Sequence, residues 1–224
     1  MNPRAPFIVI AALVAAASPA LAEPRQSEKC GPPAQTASAN LRIDNGAVEY
    51  DFSKTRDDLF NLFRENRKES AAGHRTGLTM ARMNYEMQTD VRLRPVAGGY
   101  CVELRNVKVA LGFPLMKVYV DQRYPVGGCH HQAVLKHENE HVSINRRVLG
   151  KHGKEFRARL KAMVERAPVL FVVTKEQARE VHIKYLGNET KPILDAMDRD
   201  LRVNHAVIDT EESYQNLTRL CENW

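Results

Sequence analysis

Two hydrophobic periodicities divide the chain. Between residue 41 and about 124 apolar residues recur at every second position: Ala81, Met83, Tyr85 and Met87, then Tyr100, Val102 and Leu104, then Val107, Val109 and Leu111, then Val118 and Val120. A period of two places one face of an extended chain against a core, so these runs predict half-buried strands. Leu59, Leu62 and Phe63 recur at helical spacing and predict one helix at about 55 to 67 within the strand region. After the turn-rich stretch Tyr124-Pro125-Val126-Gly127-Gly128 the period changes to about 3.6, with Leu135, Val142, Leu149 and Val134, His141, Val148 each seven apart. A helix is expected from about 130 to 149. Phe156, Leu160, Met163, Val164 and Ala167 continue the pattern to Pro168, with Gly150 and Gly153 placed to kink or divide it. Thr174 and Gln177 form a capping box for a helix to about 186. Gly187 and Asn188 end that helix, and a last one with Pro192 in its first turn covers roughly 190 to 203. Strands first and helices afterwards predict an α+β domain, an N-terminal antiparallel sheet followed by a long helix and C-terminal helices.

The N-terminus changes the expected compartment. Arg4 is followed by an apolar, alanine-rich run from Phe7 to Ala17 and then by Ser18-Pro19-Ala20-Leu21-Ala22, the pattern of a signal peptide over residues 1–22. The apolar run is shorter than the roughly 20 residues that span a bilayer, and no later segment is long enough, so the mature chain is expected to carry no transmembrane segment. A periplasmic or secreted protein follows. Residues 23–40 are small, polar and proline-rich and read as a flexible leader. Residues 41–224 are then a single domain, since about 200 residues bury one core comfortably and two poorly. All four cysteines lie beyond residue 22, where an oxidising compartment favours disulfides. Cys101 with Cys129 and Cys30 with Cys221 are the expected pairs. The formal charge is +6 and drops by one without Arg4. Its basic residues are scattered, which with export argues against nucleic acid and for a basic surface facing an anionic envelope.

The chemistry is concentrated in His137-Glu138-Asn139-Glu140-His141. Histidines four apart on a helix project from one face, one turn above the other, and can share a tetrahedral ion; zinc is the expected cofactor. A carboxylate beside them can take a proton from water acidified by that ion. The run satisfies both HExxH and its inverse HxxEH. At about 100° per residue Glu138 and Glu140 lie symmetrically about the histidine pair, so helix geometry leaves both open as the base. His130 sits seven residues before His137, about 10 Å along the helix, which is too far to share an ion and places it along the cleft or at the helix cap.

A third ligand is needed. The short extension HxxGxxH is absent, because Ile144 and Arg147 stand where glycine and histidine would be required. Glu165 lies about 35 Å along a straight helix, too distant. If the chain turns at Pro168 and runs back antiparallel, the segment from Asp198 to His205 returns beside the histidines. His205 is the expected third ligand, with Asp200 next.

The chain resembles a bacterial family of predicted secreted zinc-dependent proteases. The likeness is carried by Tyr50, Thr79 within Thr76-Gly77-Leu78-Thr79, Tyr85, the Tyr100-Cys101-Val102 strand, the Val107 to Leu111 strand followed by Pro114, and His137 to His141. It implies a zincin-like fold and Glu138, rather than Glu140, as the base. In that family an acidic residue precedes a histidine at about the separation of Asp200 and His205, which supports the same pair. The expected function is an exported zinc metallopeptidase acting on protein or peptide substrates, or on cell-envelope material. A strand such as Val107 to Leu111 or Val118 to Val120 would pair with an extended substrate. An amidase acting on cell-wall peptides would use the same residues. An alternative of another class is a non-catalytic envelope-binding or assembly module stabilised by zinc.

Overall fold

The apolar positions of the longest strand run change parity between Leu104 and Val107, and the computed structural model, which describes residues 29–67 and 76–224, shows why. β1 (Ser38–Asp44), β2 (Ala47–Asp51), α1 (Arg56–Arg67), β3 (Gly77–Ala81) and β4 (Asn84–Val96) precede a single strand, β5 (Gly99–Gly112). Across the β4–β5 ladder Asp90 faces Asn106 and Val91 faces Leu104, leaving Arg105 as the extra residue of a β-bulge. The bulge returns Leu104 and Val107 to the same face, and both join the main core. β6 (Leu115–Val120), α2 (Cys129–Glu165), β7 (Leu170–Val172), α3 (Lys175–Ile208) and α4 (Glu211–Thr218) complete the chain.

The mixed α+β class is as expected, but the sheet is not purely antiparallel. β5 lies between β1, which it pairs in parallel, and β4, and also pairs with β7. A second sheet has the order β2-β6-β3, with β2 parallel to β6. The parallel pairs arise because two ribbons turn the same corner together. Gly46 and Gly112 hold φ of 66° and 142° there. A Cβ on either would lie 2.1 Å from a carbonyl oxygen, of Phe113 and of Asp44 respectively, and Phe113 N–H donates to Asp44 O across the corner. Only glycine fits. β5 and β6 are therefore interior strands with both edges occupied, which removes Val107–Leu111 and Val118–Val120 as docking edges. β3, bonded only to β6 among the described strands, is an open edge.

α1 falls where the pattern predicts it, but α2 and α3 are longer than expected. α2 runs unbroken through Gly150 and Gly153 because its buried face, from Val134 to Val164, stays on the core throughout. The lack of a side chain at Gly153 lets the Ile43 side chain approach; an added Cβ would sit 3.2 Å from it. α3 starts at the Thr174 capping box as expected and continues through Gly187 and Pro192. Leu186, Thr190, Ile193 and Met197 keep one buried stripe across that region. Thr190 Oγ1 donates to Leu186 O at 2.9 Å. Packing on this stripe outweighs the local breakers.

Residues 1–22, expected from their pattern to be a signal peptide, lie outside the described residues. The described part of the leader is tied down: Ala34 and Gln35 N–H donate to Glu103 at 2.8 and 3.2 Å, and Ser38 to Asn40 already pair with β5. The disulfides are Cys30–Cys101 and Cys129–Cys221, not the expected pairs. The reason is the length of α2. Cys129 is its first residue, whereas Cys101 pairs with Phe171 of β7, just past its last turn. The helix rise between those ends is about 54 Å. No helix among the described residues is long and apolar enough to cross a membrane.

Non-reducing peptide mapping is expected to recover Cys30 with Cys101 and Cys129 with Cys221. Replacing both Cys30 and Cys101 by alanine should cost about 2–5 kcal/mol in denaturant unfolding, since the bridge closes a long loop.

Candidate metal centre

α2 and α3 lie antiparallel, and their contacts step regularly towards the site. Arg159 meets Glu189 at 3.7 Å, His152 Nε2 meets Asp200 at 2.8 Å, and Arg147 donates to Asn204 at 3.2 Å. The next step pairs His205 Nε2 with Asn145 Oδ1 at 3.0 Å. One turn further along each helix, His141 meets Asp209. Asp209 is the C-cap of α3, its N–H bonded to His205 O at 3.1 Å.

His137 and His141 project from one face of α2, ring centroids 5.1 Å apart and edge to face. They are 7 % and 9 % exposed. Asp209 Oδ1 lies 3.4 Å from His137 Nε2 and 3.1 Å from His141 Nε2, and the three ligand atoms fall within 4.8 Å of one another. Four ligands about 2.0–2.1 Å from a tetrahedral ion stand about 3.3 Å apart. Two neutral imidazoles and a carboxylate at these separations fit such an ion, and this group can hold a metal.

Asp209, not His205, is the carboxylate or imidazole that completes the cluster. His205 stands behind His141, Nδ1 to Nδ1 at 2.8 Å. Asp200 is engaged further down the helix pair by Lys151 at 2.7 Å and His152 at 2.8 Å. The window ending at 205 follows from closing the last helix at 203; α3 runs to Ile208. The signal was present: Asp209 follows His205 by one helical turn, and Thr210 then caps α4, accepting from Ser213 N–H at 3.1 Å. Glu165 ends α2 in an ion pair with Lys161, remote from the site. His130 neither lines the cleft nor caps α2, whose N-cap is Gly128. It stacks on Tyr124 at 5.3 Å and meets the edge of Trp224 at 4.7 Å.

The two glutamates are separated by β3. Glu138 is 5 % exposed and lines a cleft of about 890 Å³ with His141, Asp209 and Tyr214. Thr79 of β3 donates to its Oε2 at 2.7 Å. The strand comes this close because residue 77 is glycine: a Cβ there would lie 2.6 Å from Glu138 Oε1 and from Val134 Cγ1. Glu140 is exposed on the other flank of α2, beside Lys136 and Ser143. Tyr214 of α4 closes the remaining side, its hydroxyl donating to Asp209 Oδ1 at 3.0 Å and its ring 5.4 Å from that of His137.

Burial pushes the Glu138 carboxyl above its ordinary range, against the charge of His141 and the Thr79 hydrogen bond. Burial would also raise Asp209, but hydrogen bonds from His137 and His141 outweigh it and hold Asp209 well below the carboxylate range. At His137 burial works downward and is overcome by Asp209 and by the charge of Glu138, so its value is raised.

Comparison with protein-family models, with curated proteins and with solved structures finds no match.

Asp209→Asn is expected to lower metal affinity by more than the roughly 10–100-fold that loss of an outer-sphere partner costs; Asp200→Asn should leave it nearly unchanged in a chelator competition. The metal-free protein should show a signed pH dependence. The raised His137 contributes stability below its ordinary 6.5, lost as pH rises through its folded value. The depressed Asp209 contributes stability above its ordinary 3.8, lost as pH falls through its folded value. The melting-temperature gap between the metal-free wild type and its Asp209→Asn variant should therefore peak between 3.8 and 6.5 and narrow above that window.

Proposed function

We propose that the protein is an exported, zinc-dependent metallopeptidase of zincin-like type, in keeping with the family it resembles. The observation that carries this reading is the burial of Glu138 in the same cleft as His141 and Asp209, with the His137 ring beside that of His141. A carboxylate costs free energy to bury, and a structural metal site has no use for one beside its ligands. Two imidazoles and one carboxylate form a three-residue donor set of the kind that leaves a catalytic zinc a fourth position.

Bound there, the ion would supply a Lewis acid that polarises a peptide carbonyl and acidifies water. Glu138 accepts a proton from the attacking water and delivers it to the departing amine nitrogen, a role suited to a carboxyl whose proton affinity is raised by burial. Thr79 fixes the orientation of that carboxyl through Oε2. β3 is the open strand at the cleft, with Gly77, Leu78, Thr79 and Ala81 on its wall, and an extended peptide would add to it by main-chain hydrogen bonds. Two disulfides suit an extracytoplasmic site of action.

The test is metal analysis of the purified disulfide-bonded protein, followed by assays on an unfolded protein substrate and on cell-wall peptides. Zinc is expected at one ion per chain. Glu138→Gln should keep it and lose about 100- to 10,000-fold in turnover, while Glu140→Gln stays active. Bound zinc without turnover of any substrate, with unfolding on chelation, would instead favour the zinc-stabilised binding module.

A further inference from the structure

A metal-binding histidine must offer a bare nitrogen, and at His141 the group that decides which nitrogen is bare is His205. His141 Nε2 faces Asp209 and the metal position, at 3.1 Å from Oδ1. Its Nδ1 faces His205 Nδ1 at 2.8 Å. Two nitrogens at that separation share one proton, so one ring donates and the other accepts. The direction is settled one contact further on. His205 Nε2 lies 3.0 Å from Asn145 Oδ1, a carbonyl oxygen that only accepts. His205 therefore carries its proton on Nε2, its Nδ1 is the acceptor, and His141 donates from Nδ1. With its proton fixed on Nδ1, the neutral ring has Nε2 as its free nitrogen, and the Nε2 proton that bonds to Asp209 in the metal-free cluster is the one a metal displaces.

The Asn145 side chain is the origin of this direction. It is 3 % exposed and sits on α2 one turn beyond His141. Its Nδ2 points at Met116 Sδ of β6, 3.8 Å away. A thioether sulfur accepts and never donates, so it suits the amide nitrogen and not the amide oxygen. Reversing the amide would put oxygen against sulfur and turn each bond of the chain around. His205 would then donate from Nδ1 to His141 Nδ1, and the neutral His141 would hold its proton on Nε2, where a metal cannot bind.

We infer that Asn145, acting through His205, is a positioning pair that locks His141 in its metal-binding tautomer. The inference rests on the proposed metal site and gives His205, the third ligand expected from the sequence, a role in the layer behind it. Outer-sphere partners of this kind fix ring orientation and tautomer.

The test is zinc affinity by chelator competition on folded variants, with melting temperature of the metal-free forms as the control for folding. His205→Leu and Asn145→Leu should weaken zinc by roughly 10–100-fold. His205→Gln and Asn145→Asp, which keep an acceptor at the required place, should stay within about threefold of wild type. Leucine variants that fold and bind zinc as tightly as wild type would overturn the inference. A second readout needs no variant: nitrogen-15 shifts of the zinc-loaded wild type should place the His205 proton on Nε2, and a proton on Nδ1 would overturn it. A wild type that binds no zinc removes the metal reading itself, and this inference with it.

Discussion

The packing of α3 along α2 is the constraint on which the site depends. Asp209 lies beyond the end of a long helix, and its distance from the histidines is set by the register of the whole pair. That register is held by apolar side chains, among them Leu149, Phe156, Leu160, Leu186, Ile193 and Met197, all buried in the main core. The polar contacts on the flanks, such as Arg159 with Glu189, are exposed and worth little individually. Sliding α3 by one turn would move its C-cap about 5.4 Å and separate Asp209 from both rings. An interrupted α3 would lose the same registration, so the continuity of its buried stripe through Gly187 and Pro192 is a requirement for bringing Asp209 to His137 and His141.

What the chain reveals in advance follows from how local each signal is. The His137–His141 pair, the helix at Leu59 to Phe63 and the Thr174–Gln177 cap rest on residues within one or two turns, and each appears where the pattern places it. The parity change between Leu104 and Val107 was also present, but its meaning depends on β4 across the ladder, where Arg105 has no partner. The parallel pairs, the corner at Gly46 and Gly112, and the disulfide partners all depend on how distant segments meet. Asp209 was hidden for a simpler reason. Gly187 and Asn188 read as a helix stop, and a helix shortened at both ends takes its C-cap with it. His205 lies against His141, yet spacing alone cannot say whether an imidazole touches an ion or the ring behind it.

The choice between Glu138 and Glu140 shows what a helix lacks on its own. Around α2 they are mirror positions, and the symmetry is broken by β3. Gly77 lets the strand lie against Val134 and Glu138, and Thr79 then supplies the hydrogen bond that a buried carboxylate requires. On the other flank no described residue covers Glu140, and its side chain is exposed. The same short strand thus encloses one glutamate and presents its open edge to the cleft.

The opposite wall is held by different means. α4 has no buried residue, so it cannot keep its place by apolar burial in the way α2 and α3 do. Leu217 packs beside Tyr124 and Val134, and Cys221 just past the helix is bonded to Cys129 at the start of α2. Trp224 packs edge-on to His130 and Tyr124 beside that bridge. A covalent link substitutes for a core, by limiting the states open to the released segment. The group it keeps in place is Tyr214, whose hydroxyl and ring contact Asp209 and His137. One wall of the candidate metal site therefore persists to the extent that Cys129–Cys221 does. The oxidising compartment in which disulfides endure and the geometry around Asp209 are linked through that one bond.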